Sequence, residues 1–179
     1  ACWKTHLGRP EGDQARRLAM NVLGNGLNAA KHDEAALAVR EVELATERRL
    51  GISQHNILVS LGNLASSYQM ASRLEDALRM RQEVYSGHLK LNGEETYDTL
   101  TAANNYASAL NNLERFEEAR SLLRKTVPVA RRVLGEDHEL TLMMRKIYAG
   151  ALCKDNRATF NDLREAVRTY EDTERIARR

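Results

Sequence analysis

The chain of 179 residues is poor in several things that define common protein classes. It has two cysteines, Cys2 and Cys153, far apart and in no metal-ligand spacing, which excludes a disulfide framework or a zinc module and points to reduced thiols. It has two prolines and 5% aromatic residues, which argues against proline-rich linkers and against an aromatic platform for single-stranded nucleic acid. No apolar run approaches the roughly 18 residues of a membrane span, and no secretory signal pattern opens the chain. Charge of one sign is also missing: 27 Lys and Arg face 25 Asp and Glu, so nothing demands a phosphate backbone or a membrane surface. With 42% hydrophobic and 29% charged residues the chain is expected to be soluble, folded and cytoplasmic.

What is present is a period. Ala35, Ala77 and Ala119 recur at a spacing of 42, as do Asn21, Asn63 and Asn105, then Gly51, Gly93 and Gly135, then Ala65, Ala107 and Ala149. Within one period Ala103, Tyr106, Ala107 and Leu110 stand at i, i+3, i+4 and i+7. After a short polar break, Phe116, Ala119, Leu122 and Leu123 form a second apolar stripe. The glycines stand where a left-handed residue ends a helix, and the pairs Arg48-Arg49, Arg131-Arg132 and Arg178-Arg179 suit the negative end of a helix dipole. The expected fold is all-α, a right-handed α-solenoid of antiparallel helical hairpins. A 1–14 extension precedes an array over 15–179, with repeats at about 15–56, 57–98, 99–140 and 141–179.

The fourth repeat slips. Ala166 takes the place of Ala119 at a spacing of 47, which predicts a five-residue insertion near 154–160 that lengthens the turn. Gly24 and Gly26 interrupt the opening helix at about 1 kcal/mol each relative to Ala, and Pro128 should bend the helix that carries it. The start at Ala1 without Met, and the end where another Val-Leu-Gly is due, read as a piece of a longer array.

The segments NYASAL, FEEA and RRVLGEDH of the third repeat, with NLASSY and LEDA of the second, resemble the tetratricopeptide repeat in its long, kinesin-light-chain-like form. HEAT and armadillo arrays share the period, but the alanine positions, the scarcity of proline and the lack of a third short helix oppose them. The resemblance implies a protein-protein interaction scaffold whose first helices line a concave groove that holds a peptide or partner helix. It also implies no enzymatic activity. Asn21, Asn63 and Asn105 are the leading groove candidates, because an amide both donates and accepts as an extended peptide backbone requires. The same residues can instead bond to one another or to neighbouring helices and keep the repeats in register. Asn104, Ser66, Ser108, Gln69 and Asn112 extend the polar surface by position. Where some relatives carry basic residues that clamp a terminal carboxylate, this chain has Val59, Thr101 and Met143, with only Arg17 and Lys146 basic nearby.

Catalytic and metal signatures are lacking. His6, His32, His55, His88 and His138 are scattered, and His138 reads as a cap or packing residue of the GEDH turn. Glu117 and Glu118 read as a solvated helix face, and Cys153 as an inert, half-buried small residue. No catalytic residue, metal or cofactor is expected, and the expected partner is a protein or peptide rather than nucleic acid or membrane. A second expectation is homo-oligomerisation, because a terminal hairpin leaves its apolar side without a following repeat.

Overall fold

The computed structural model describes residues 9–178. Cys2, His6 and Arg179, and most of the 1–14 extension, lie outside the described residues or at their edge. The elements are α1 Gln14–Ala29, α2 Asp33–Arg49, α3 Gln54–Met70, α4 Leu74–Asn92, α5 Tyr97–Asn112, α6 Phe116–Leu134, α7 Glu139–Lys154 and α8 Phe160–Ala177. They follow one another as four hairpins, with no strand among the described residues.

Helix starts are written locally. Asp13 Oδ1 accepts from the Ala15 and Arg16 amides, Ser53 caps α3 and Thr96 caps α5. Thr159 and Asp162 complete a reciprocal capping box on α8. His138 caps α7, its Nδ1 accepting from the Leu140 amide at 3.1 Å while its ring meets Tyr97 edge-on. The three short turns share one main-chain device. Lys31, Ser72 and Glu114 take φ values of 60°, 59° and 58°, and the next residue's N–H closes back onto the helix, His32 on Leu27, Arg73 on Tyr68 and Arg115 on Leu110. The longer connections use Gly51, Gly93 and Gly135 at φ 65°, 78° and 103°, as their spacing predicts.

The chain divides into two compact units, one up to Val84 and one from Tyr85, and α4 contributes to each. In the first, α1 packs on α2 and α2 on α3 around Leu37, Leu44, Leu58, Leu61 and Ala65. In the second, α5 packs on α6 and α7, and α7 on α8. Its core gathers Leu100, Ala103, Ala107, Leu123, Ala130, Leu140 and Met144. Each buried side chain of Leu size there contributes roughly 1.5–3 kcal/mol.

The first repeat departs from the expected phase. The buried alanine of α2 is Ala36, fully covered like Ala119 and Ala166, whereas Ala35 is exposed. Lys31 precedes Ser72 by 41 residues, not 42, and Gly24, not an alanine, stands 41 residues before Ala65. The cause is length: α2 has 17 residues against 19 in α4 and α6, so the turn glycines keep a spacing of 42 while the packed faces keep 41. Gly24 is therefore the close-approach residue of α1. A Cβ there would come within 2.7 Å of Arg40 Nε, whereas nothing lies near Gly26.

The insertion of the fourth hairpin is shared between loop and helix. Residues 155–159 make a five-residue turn where 113–115 make three, and Ala166 is the seventh residue of α8 where Ala119 is the fourth of α6. The turn is organised by Asp155, buried, which accepts from the Arg157 amide at 2.9 Å and from Arg120 of α6 at 3.1 Å. Those contacts hold the Asp155 carboxyl below its ordinary range, the Arg157 amide bond being the largest cause. Pro128 lies on the exposed side of α6, which runs through it.

Candidate functional site

In the first unit, the first helices α1 and α3 flank a cavity of about 260 Å³. Gln14, Arg17, Leu18 and Asn21 come from α1, Asn56, Val59 and Ser60 from α3, and Glu43 and Glu47 from α2 between them. Leu18 and Val59 are exposed at its mouth, at 60% and 47%, and Val22, one turn on from Leu18 along α1, is exposed at 64%. Such aliphatic exposure flanked by amides is the surface a partner's side chains can cover.

The buried wall is charged. Arg40, Glu43 and Glu47 are 1%, 6% and 4% exposed. Arg40 is engaged through both terminal nitrogens: it donates to Glu43 at 3.1 Å, to the Asn21 carbonyl at 3.3 Å and to Asn25 Oδ1 at 2.5 Å, and its Nε alone is left without an acceptor. Glu47 is not, for its Oε2 is buried with no hydrogen-bond partner, and Arg17 Nε is buried without an acceptor. Burial raises the Glu43 carboxyl above its ordinary value, Arg40 opposes that shift, and the Glu47 charge adds to it.

The predicted asparagines are placed unevenly. Asn21 lines the cavity, half-buried, and its side chain accepts from Asn25. Asn63 and Asn105 are half-buried on α3 and α5, and Asn105 accepts from Asn104 at 3.4 Å. Because the first repeat is shifted by one, Asn21 stands three residues before the close-approach residue Gly24, while Asn63 and Asn105 stand two before Ala65 and Ala107. Asn21 is thus the counterpart of Asn104, and the three do not occupy one equivalent position. Asn104 itself is buried, at 5%. Ser66 is engaged within the hairpin, accepting from Arg81 at 2.9 Å and donating to the Gly62 carbonyl. Ser108 is half-buried, and Gln69 and Asn112 are exposed near the ends of their helices.

Two further amides bond across helices. Asn28 of α1 donates to Ser67 of α3 at 2.8 Å, and Asn111 of α5 donates to the Ile147 carbonyl of α7 at 3.0 Å. Both bridge the first helices of successive hairpins, and at 41 and 42 residues' spacing both correspond to Gln69. The same helices also carry Asn28 and Asn111, about two helical turns further along from Asn21 and Asn105.

Elsewhere, Cys153 is exposed rather than half-buried. No group of three or more His, Cys, Asp or Glu among the described residues is arranged to hold a metal ion, and no helix there is long and apolar enough to cross a membrane.

Residues 99–139, the third hairpin, match the tetratricopeptide repeat model. No curated protein matches the chain by sequence. Among solved structures, the nearly identical TPR-like repeats of a Podosopora anserina kinesin light chain superpose with a TM-score of 0.80 at 20% identity, covering 97% of this chain and 80% of that one. A single-substitution variant of those repeats gives 0.81 at 19% identity, covering 97% and 79%. BtubC (BKLC) from P. vanneervenii gives 0.66 at 14% identity, covering 98% and 85%. The fold is that of kinesin-light-chain-like TPR arrays, an all-α helical repeat.

Proposed function

We propose, from the premise of a TPR-like helical repeat whose third hairpin matches the tetratricopeptide model, that this chain is a non-enzymatic protein-protein interaction scaffold acting in the cytoplasm. Its first helices receive an extended peptide or a partner helix. The observation that carries the reading is the cavity between α1 and α3, where exposed Leu18 and Val59 sit beside the amides Gln14, Asn21 and Asn56. Apolar side chains supply area, and amides supply paired donors and acceptors for a main chain. Asn63, Asn105, Ser108, Gln69 and Asn112 are proposed as further contacts on α3 and α5, while burial leaves Asn104 no surface to offer.

The test is capture of partners by the wild-type chain beside an Asn21→Ala, Asn63→Ala, Asn105→Ala variant and a Leu18→Ser, Val59→Ser variant, each verified by a cooperative melt. Loss of one shared partner in both folded variants supports the scaffold reading. Retention of every partner by both removes the first-helix surface from consideration.

Self-assembly is favoured by a separate observation. Phe160, Leu163, Val167 and Tyr170 form a stripe along α8, exposed at 73%, 42%, 53% and 41%. A monomeric mass at high concentration by sedimentation equilibrium, unchanged by Val167→Glu, would remove that reading.

A further inference from the structure

We infer that the cavity between α1 and α3 is a subsite for a basic side chain of the docked segment, arginine in preference to lysine, with Glu47 as its principal acceptor. The inference rests on the scaffold reading above and names the chemistry of one position in the partner.

Three observations lead there. Glu47 is 4% exposed, lines the cavity, and has an oxygen with no partner. A buried ionised carboxylate without a counter-charge is costly, so a cation that reaches it gains what a solvent-exposed pair does not. Second, the neighbouring cation is spent: Arg40 donates to Glu43, Asn21 and Asn25, and its Nε is enclosed without an acceptor. Third, Glu43 and Glu47 are one helical turn apart on α2, so both carboxylates face the same cavity. A guanidinium, planar and carrying five N–H groups, spans two such acceptors better than the point charge of an ammonium. The exposed Leu18 and Val59 at the mouth suit the aliphatic stem of the same side chain.

Arg17 is the internal competitor. It lines the cavity, its charge acts on Glu43, and Glu43 takes its ion pair from Arg40 instead. Its position makes the subsite sensitive in a specific direction: removing Arg17 should strengthen binding of a basic segment, and adding charge of the same sign should weaken it.

Random short peptides displayed on phage and selected on the immobilised chain provide the probe. The expected result is enrichment of sequences with Arg at one fixed position. A synthetic peptide of that sequence should lose on the order of 30-fold in affinity when Arg is replaced by neutral citrulline, and a similar factor against Glu47→Gln. The two losses should be non-additive in a double-mutant cycle, and Arg17→Ala should tighten binding. Glu47→Gln keeps the side-chain volume, and its melting curve checks the fold. Enriched peptides with no basic position overturn the subsite. So does a peptide whose affinity is indifferent to Glu47→Gln yet lost in the Leu18→Ser, Val59→Ser variant, and that result leaves the scaffold reading standing. Failure of the wild-type chain to select any peptide overturns both.

Discussion

The same structural positions are filled by opposite chemistry in the two units. On α6 of the second, Leu123, Thr126 and Ala130 face the core, two of them fully covered. The corresponding positions of α2, 83 residues earlier, hold Arg40, Glu43 and Glu47, also buried. Between them α4 carries Arg81, Val84 and His88. The repeat backbone therefore does not require an apolar interior at these three sites. Burial there is met by packing in the second unit and by the Arg40–Glu43 pair in the first, where one Glu47 oxygen is left open.

The sharpest way to break this contrast is Arg40→Leu alone, which removes Glu43's partner and leaves two buried carboxylates uncompensated. A loss of about 3–5 kcal/mol is expected in urea denaturation followed by circular dichroism. Installing the whole third-repeat triplet, Arg40→Leu with Glu43→Thr and Glu47→Ala, should instead be neutral or stabilising by about 1–4 kcal/mol, at the expense of the cavity. If the triple variant is as unstable as the single one, the charged cluster is integral to the first unit rather than a tolerated substitution.

Glu43 of the first unit and Asp155 and Asp162 of the second contribute pH dependence of opposite sign. Glu43's folded value lies above its ordinary 4.5, so the native state holds its proton longer than the unfolded chain and this group's contribution to stability falls as pH rises past that value. Asp155 and Asp162 lie below their ordinary 3.8, so their contributions are present above it and are lost as pH falls through the folded values. The cost of Arg40→Leu should therefore shrink on acidification as Glu43 is protonated, and the cost of Asp155→Asn should persist through that range and vanish only further down, as pH falls through Asp155's folded value below 3.8. Urea midpoints at a series of pH values decide it. A cost of Arg40→Leu that is independent of pH would show that lost packing, not charge, is responsible.

Smaller effects separate the two glycines of α1. Gly24→Ala drives a methyl against an Arg40 side chain locked by its bonds, and should cost about 1–3 kcal/mol despite the better helix former. Gly26→Ala meets open space and should add up to about 1 kcal/mol. The smallest expected change is Glu114→Gly, which relieves a left-handed residue at φ 58° and should raise stability by about 0.5 kcal/mol in thermal melts.

Much of this fold is legible in the alanines and glycines, because small residues at helical crossings and left-handed residues at helix ends answer to geometry alone. Ala65, Ala107 and Ala149 are all fully buried, and Gly51, Gly93 and Gly135 all take positive φ. The first repeat misleads because two identities at a spacing of 42, Asn21 and Ala35, are coincidental once α2 is shorter. The close-approach residue there is a glycine, which reads in sequence as a helix breaker. The charged wall of the cavity is hidden for a related reason: Arg, Glu and Glu at i, i+3 and i+7 look like a solvated face unless aligned at 83 residues with Leu123, Thr126 and Ala130. Among the asparagines, residue type alone does not tell an amide that bridges helices, such as Asn28 or Asn111, from one that lines a cavity, such as Asn21.

The three short turns have a consequence for building with this molecule. Their shape is held by main-chain bonds, with no side-chain bond at Lys31, Ser72 or Glu114 and only a left-handed backbone in common. They are interchangeable connectors, which could be transplanted among the first three hairpins or used as junctions where a hairpin is added or removed. The fourth connector is different in kind: it is keyed to Arg120 on the preceding hairpin through Asp155, so it travels only with its lock.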